Sequence, residues 1–366
     1  MKTKKKVGTL MHDYDVIVIG GGQAGLSIGY YLQQRGHRFV ILEKSERVGT
    51  SWRERYDSLV LFTPRSFNDL PGLPFPGQRS GLPDKNEVAH YLELYAHHFQ
   101  LPIELGVEVI RLEETDSPGS PGFRVHTQER ILLARSVVIA TGPFHEPYWP
   151  DLHKNADKDV VQWHTATYRN EQQLSDGPVL VVGGGNSGVQ IAIELTGKHP
   201  VFLSMGQSRT FLPLTILGKT IFTYMRKLGI LTAPVSSWLG KLYHSLPDPI
   251  FGYRKELQKL LRTGKLTLSS RTVSLSGHVA TFADGRTATV SNIIWATGYR
   301  LRYKWVEVPG ILDDQGRPVH NRGISPTPGI FFLGLPWQYN RQSALLGGAG
   351  HDAHFLVNEI TDLLRS

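Results

Sequence analysis

The feature that most constrains this chain is an internal repeat. An apolar run, Asp15-Val-Ile-Val-Ile19, leads into Gly20-Gly21-Gly22-Gln23-Ala24-Gly25 and then a helix-forming stretch, Leu26 to Arg35. A second run, Val179-Leu-Val-Val182, leads into Gly183-Gly184-Gly185-Asn186-Ser187-Gly188 and a stretch that reads as helix through Leu195. The first glycines of the two copies lie 163 residues apart. Two further strand-like segments, Val137 to Gly142 and Asn292 to Gly298, both close on Ala-Thr-Gly, with their threonines 156 residues apart. A short apolar strand, a glycine turn and a helix open a βαβ unit. Two copies predict an α/β fold with two Rossmann-like dinucleotide-binding domains, one inserted in the other. Residues 1–155 and 301–366 are assigned to the outer domain and 156–300 to the inserted one. Pro143, Pro147 and Pro150 punctuate the exit from the first, and Pro328 to Gly334 with a terminal helix from Gly350 returns to it.

The loop chemistry is that of the main chain. Gly20 permits a tight turn, Gly22 admits a pyrophosphate to the backbone, and Gly25 lets helix and strand pack closely. Free N–H groups and the helix dipole then hold the phosphates. Gly183, Gly185 and Gly188 repeat the pattern. The copies differ where ribose is read. After the first, Arg38-Phe-Val-Ile-Leu-Glu43 places Glu43 18 residues past Gly25, where a carboxylate takes ribose hydroxyls and repels a 2′-phosphate. That site suits FAD or NAD. After the second, Val201-Phe-Leu-Ser204 runs into Met205-Gly-Gln-Ser-Arg-Thr210, with no Asp or Glu between Leu195 and Pro247. Ser204, Gln207, Ser208 and Arg209 can donate to a 2′-phosphate, so NADP is favoured there over a merely solvated basic face. Two sites of different type imply a flavoprotein reduced by a nicotinamide, with the NAD(P) domain inserted in the FAD domain.

Composition removes other classes. With no Cys, there is no disulfide scaffold, thiolate metal site or dithiol redox centre. No uncharged apolar stretch reaches 18 residues, and Val7 to Met11 is too short for a signal-peptide core, so a cytoplasmic protein is expected. Net charge is +8, and Lys2, Lys4, Lys5 and Lys6 supply half of it from the N-terminal tail. No nucleic-acid-binding motif accompanies it. No nucleophile elbow supports hydrolysis.

Together these residues resemble the flavin-containing monooxygenase superfamily, the group B flavoprotein monooxygenases, over nearly the whole chain. The short bacterial branch, itself similar to plant YUCCA-type enzymes, is the one it looks like. The likeness rests on GGGQAG at Gly20, SWRERYDSLVLFTPRSFNDLPGLPFP from Ser51, Ala-Thr-Gly at Ala140, GGGNSG at Gly183, WATGYR at Trp295 and FLGLPWQYNRQSALLGGAGHDAHFL from Phe332. It implies FAD in the first site and NADPH or NADH in the second. A flavin hydroperoxide would form from O2 and pass one oxygen atom to a soft nucleophile, a sulfide or amine, or to a ketone. Carried over by position, Gly20, Gly22, Gln23, Ala24, Gly25, Glu43 and Lys44 contact FAD, Gly49 and Trp52 run along the flavin, and Gln342 and Leu346 sit beside its ring. Gly183, Gly185, Asn186, Ser187 and Gly188 hold the nicotinamide dinucleotide. Thr141 and Gly142, like Thr297 and Gly298, look like links between domains at the edges of the two cofactor sites.

The sequence departs from the family pattern in two places. Of the fingerprint FxGxxxHxxxY/F, His164 and Tyr168 are kept, but Lys158 and Val160 replace Phe and Gly. The Asn that many members place near the flavin is missing at Phe62 and Thr63. No acid, base or metal ligand is assigned. His90, His97 and His98, and His351, Asp352 and His354, lack a further ligand. Phe211 to Leu242 reads as a helical lid over the substrate channel, with a membrane-surface segment as the alternative. The expected partners are a small-molecule substrate and O2, with a homodimer left open. Two rival functions stand beside the monooxygenase: a flavin oxidase or reductase without oxygen insertion, and a nucleotide-sensing regulatory flavoprotein.

Overall fold

A computed structural model describes residues 12–115 and 122–365. The basic tail and Val7 to Met11 lie outside the described residues. The first unit runs β1 (Tyr14–Ile19), α1 (Gln23–Gln34), β2 (Phe39–Glu43), α2 (Lys85–His98), β3 (Ile103–Leu105), β4 (Val109–Glu114), β5 (Phe123–Thr127) and β6 (Ile131–Ile139). The second contains β7 (Val161–His164), β8 (Val179–Val182), α3 (Asn186–Leu195), β9 (Val201–Ser204), α4 (Ile221–Lys227), α5 (Trp238–Ser245), α6 (Arg254–Arg262) and β10 (Leu266–Ser269), then a hairpin sheet β11 (Thr272–Ser276), β12 (Val279–Phe282), β13 (Thr287–Thr289), and β14 (Asn292–Trp295). The chain then returns through β15 (Ile330–Phe332) to α7 (Ala349–Arg365).

The first sheet has the order β3-β2-β1-β6-β5-β4, with β15 pairing in parallel with the second half of β6. The inserted sheet is parallel throughout, β10-β9-β8-β14-β7. The central strands, β1 and β2 in the first sheet and β8 and β14 in the second, are near-continuous apolar runs because both of their faces are buried. Alternation still assigns each face. Val16, Val18 and Ile41 pack under α1, α2 and α7, while Ile17, Ile19, Val40 and Leu42 pack against Tyr303, Val306 and Ile311. In the inserted unit Val179, Val181 and Leu203 face α3, and Leu180, Ile293 and Trp295 face the hairpin sheet. Helix α2 starts at Asp84, whose carboxylate accepts from the amides of Asn86 and Glu87 in a reciprocal capping box with Glu87.

Phe211 to Leu242 is less helical than the sequence suggests. Phe211–Leu212 pairs in parallel with Ile250–Phe251, and Thr215–Ile216 pairs antiparallel with Lys219–Thr220 just before α4. Gly218 and Leu217 make a tight reversal there, at φ 74° and 46°, and a helix cannot run through such a turn.

The close packing in each glycine loop has a measurable limit. A Cβ on Gly25 would lie 1.9 Å from the Gly20 carbonyl oxygen, and one on Gly188 would lie 1.9 Å from that of Gly183. Gly25→Ala and Gly188→Ala are each expected to cost roughly 3 kcal/mol or more through overpacking against backbone that cannot yield. Gly22→Ala, at φ −79° with no atom within 4 Å of its Cβ position, should fold normally. Urea midpoints of the three variants check the contrast.

Candidate cofactor-binding site

Each glycine loop is built by the same set of contacts. Gly20 and Gly183 have φ 108° and 117°, values that L side chains rarely adopt. Their Cβ positions lie 2.7 Å from the Ala140 oxygen and 2.2 Å from the Ala296 oxygen. The two Ala-Thr-Gly strands therefore floor the two loops. Their alanine amides donate at 2.8 Å to Ile19 and Val182 in turn. The outer glycines are different. Nothing lies within 4 Å of a Cβ on Gly22 or Gly185. That open space faces the first turns of α1 and α3, whose N-caps receive no side-chain hydrogen bond. Such a cradle fits a diphosphate held by amides.

Around the first loop, the Glu43 carboxylate accepts from the Gly21 amide at 2.7 Å and the Ser45 amide at 2.9 Å. These bonds hold it at the tip of β2, beside the open cradle. Gln23 and Ala24 form the first turn of α1, and Ala24 is buried. Lys44 is exposed next to Glu43. Gly49, at φ 82°, packs against the Ala89 backbone of α2, so its own constraint is steric. Trp52 packs on the core beneath α1 and α2. Thr141 Oγ1 lies 3.1 Å from His145 Nε2, and Gly142 turns the chain at φ 71°. Burial holds His145 below its ordinary value, so it is a neutral partner there. Leu346 is buried, and Gln342 lines a cavity between the C-terminal segment and α7.

In the second site, Asn186 spends its amide on the neighbouring strand, accepting from the Phe251 amide at 3.2 Å and donating to the Pro249 carbonyl at 3.4 Å. Ser187 lies within hydrogen-bond reach of the Tyr56 hydroxyl. One expectation is corrected. Ser204 is 2% exposed, and its hydroxyl donates to the Ser270 carbonyl while accepting from the Thr272 amide and hydroxyl. It ties β9 to the turn after β10 and has no capacity left for a phosphate. Gln207 and Ser208 are exposed, and Arg209 leans on the Asp248 carbonyl at 3.1 Å. Thr297 donates to the Tyr148 carbonyl, and Gly298, at φ 81°, accepts from the Tyr148 amide.

The residue that answers Glu43 is Met205. A Cβ on Gly21 would meet Glu43 at 3.0 Å, and one on Gly184 would meet Met205 at 2.6 Å. A thioether thus stands where the first site has a carboxylate. Beyond it, Arg271 brings its Nε to 3.1 Å from the Cβ position of Gly206. Sequence reading missed Arg271 because it lies more than sixty residues downstream and reaches the loop only through the β9–β10 pairing.

The half-kept fingerprint acquires a structural meaning. His164 is buried, with Nε2 3.1 Å from the Gly298 carbonyl and Nδ1 accepting from the Ala166 amide at 3.1 Å. Burial lowers it to about 4, so the ring is neutral at physiological pH and ties β7 to the second Ala-Thr-Gly turn. Tyr168 reaches Glu194 at 3.3 Å. The two sites are also latched together through α3. Tyr56 donates to Gln190 at 2.8 Å, Gln190 donates to the Ser58 carbonyl at 2.7 Å, and Ser58 donates to Glu194. Phe62 and Thr63 carry no amide side chain, but Asn68 is fully buried nearby, bonded to Thr63 and Pro64, with its backbone against Gly347.

Asp157, Asp159 and His278 bring ligand atoms within 4.8 Å of one another, on the surface, where His278 pairs with Asp159 at 3.1 Å. His90, His97, His351 and His354 join no such group among the described residues.

Two outcomes follow from this geometry. Removing the downstream cation by Arg271→Ala should raise the KM for NADPH by roughly tenfold, as loss of a charge-assisted contact does, and leave that for NADH unchanged; steady-state kinetics with both coenzymes decides it. His164 binds fewer protons folded than unfolded between pH 6.5 and about 4. Stability should therefore be intact above pH 6.5 and fall as pH drops through that window. Melting curves should show a shallower acid limb for His164→Gln than for the wild type.

A family profile described as pyridine nucleotide-disulphide oxidoreductase matches residues 17–208. The chain is 49% identical to the "uncharacterized oxidoreductase CzcO-like" of Geobacillus kaustophilus, covering 96% of this chain and 99% of that one. It is 30% identical to the indole-3-pyruvate monooxygenase YUCCA1 of rice, over 85% and 82%. Among solved structures, the flavin-containing monooxygenase of Stenotrophomonas maltophilia superposes with a TM-score of 0.79 at 28% identity, covering 96% and 99%. No helix among the described residues is long and apolar enough to cross a membrane. The profile's name invokes disulfides, yet this chain has no Cys, so its own thiols play no part. By sequence, fold and loop geometry the chain belongs to the flavin-containing monooxygenase superfamily and is a flavin-dependent oxidoreductase with a pyridine-nucleotide family profile.

Proposed function

We propose that the protein is an NADPH-dependent monooxygenase that transfers one atom of O2 to a soft nucleophile, a sulfide or amine, or to a ketone, and releases the other as water. NADPH supplies the two electrons and a proton from solvent completes the balance. The observation that carries the reading is the pair of open glycine cradles of opposite character, one beside the Glu43 carboxylate and one beside Met205 and Arg271. When bound, FAD accepts hydride and activates O2.

The chain's own residues bind, orient and exclude water. Amides of the α1 and α3 first turns face the two diphosphate positions. Glu43 favours a ribose with free hydroxyls, and Arg271 favours one carrying a phosphate. Gln342, Leu346 and Trp52 are proposed to flank the flavin, and Thr141, Gly142, Thr297 and Gly298 to set the spacing between the halves. The segment from Phe211 covers this region, with Phe222 and Phe251 packed on Phe62 at 5.9 and 4.9 Å. An apolar cover of this kind excludes water from a reactive site. A cytoplasmic location, where reduced nicotinamide is available, and small-molecule partners belong to the same proposal, as does a homodimer.

Purified protein should be yellow, and Gly22→Ala should be folded but markedly paler. In air it should consume NADPH and convert a small sulfide such as thioanisole to its sulfoxide in near-equal amounts. Stoichiometric hydrogen peroxide without sulfoxide, amine oxide or ester would replace the reading with a flavin oxidase.

A further inference from the structure

The segment that returns to the first sheet carries a cation the cofactor reading does not use. Asn321 and Ile324 exchange backbone hydrogen bonds at 2.9 and 3.0 Å, closing a two-residue turn. Both central residues have positive φ, Arg322 at 51° and Gly323 at 92°. That is the turn geometry for which Asn-Gly is favoured, and a long side chain at its first position is strained. Arg322 is held there by its side chain. Its guanidinium lies between two aromatic rings, 3.8 Å from the Tyr339 centroid and 3.9 Å from that of Phe355. Both faces of the planar group are covered, so only its N–H edge is free. Nε is buried with no hydrogen-bond partner.

The surroundings offer no acid to answer it directly. Arg322 lines a cavity of about 360 Å³ shared with Asn340, Gln342, His351, His354 and Asn358, and no Asp or Glu lines it. Arg35 adds a second guanidinium at the rim, donating to Asn358 at 2.6 Å. Asp352 is the nearest carboxylate. It sits in the first turn of α7 with Oδ2 buried and without a hydrogen-bond partner; burial raises it above the ordinary range, while Ser343 and the Arg322 charge pull it the other way.

We propose that this cavity binds a small organic carboxylate, taken edge-on by the Arg322 guanidinium, with amide side chains beside it and room for an apolar body. A planar fork with both faces stacked matches a carboxylate's two oxygens, and the volume is that of a small-ligand pocket. The inference does not depend on the monooxygenase reading, because binding is measured without turnover.

Calorimetry of the purified holoprotein with phenylpyruvate and with phenylacetone, its uncharged counterpart, tests the site. Phenylpyruvate should bind roughly tenfold or more tighter, the order of a charge-assisted bidentate contact. Arg322→Asn places the residue this turn prefers, so it should fold; it should erase the difference between the two ligands. Arg322→Lys should retain part of it. His354→Glu, on the exposed face of α7, should weaken phenylpyruvate alone. Equal affinities in the wild type, or an undiminished difference in Arg322→Asn, would overturn the proposal. Inorganic phosphate competing as well as phenylpyruvate would overturn the carboxylate assignment in favour of a general anion site. Flavin content is read separately by absorbance, so a colourless protein that still discriminates the two ligands would count against the cofactor reading alone.

Discussion

Everything in this molecule depends on one backbone contact made twice. In each glycine loop the carbonyl of the first glycine sits where a side chain on the sixth residue would have to be, and the alanine carbonyl of an Ala-Thr-Gly strand sits where a side chain on the first would have to be. Three chain segments, strand end, helix start and a neighbouring strand end, thereby meet with only hydrogen atoms between them. That approach brings the amide-rich first turn of a helix to the edge of a parallel sheet, where the strand order reverses. The cost is local strain and lost packing at four glycines. What it secures is a concavity whose lining is almost entirely polar main chain, and that is why diphosphates rather than apolar ligands fit it.

The two loops must also be held at a fixed spacing for electrons to pass between what they bind. The residues doing this are ordinary polar side chains at the contact between the halves. Tyr56 and Ser58 engage Gln190 and Glu194, and Asp57 bridges to Asn170 at 2.7 Å. Behind them Lys85, 5% exposed, donates to the carbonyls of Arg53 and Arg55 and to the Asp57 carboxylate. A buried ammonium with three oxygen partners is satisfied in full, so it fixes the course of residues 53–57 rather than destabilising them. The loop between Trp52 and Asn68 is therefore an anchored brace between sheets.

The strands, both glycine loops and the flanking helices were legible in the sequence because each is a local pattern: period, glycine spacing, cap. Glu43 was legible for the same reason, a fixed distance along one βαβ unit. Ser204 was misread because sequence position at the end of β9 says nothing of which way a hydroxyl turns, and the turn after β10 claims it. Arg271 was invisible because only the parallel pairing of β9 with β10 brings it beside Gly206. Arg322 was overlooked since no motif marks it; its role emerges from two rings contributed by Tyr339 and Phe355, each on a different element.

The contrast between the two loops also bears on which nucleotide each would admit. A carboxylate at the tip of β2 suits a nucleotide whose only anions are in the diphosphate. The second loop has Met205 in that place and an acid-free stretch from Leu195 to Pro247 around it. An additional phosphate there meets no repulsion from this stretch, and Arg271 reaches Gly206 at the start of the exposed turn Gln207-Ser208, which Arg209 follows in the chain. Removing one carboxylate does more for phosphate tolerance than adding one exposed cation, because an exposed cation is screened within about 10 Å at ordinary ionic strength. In the proposed reading, Glu43 in one loop and Met205 with Arg271 in the other together set which nucleotide each loop admits.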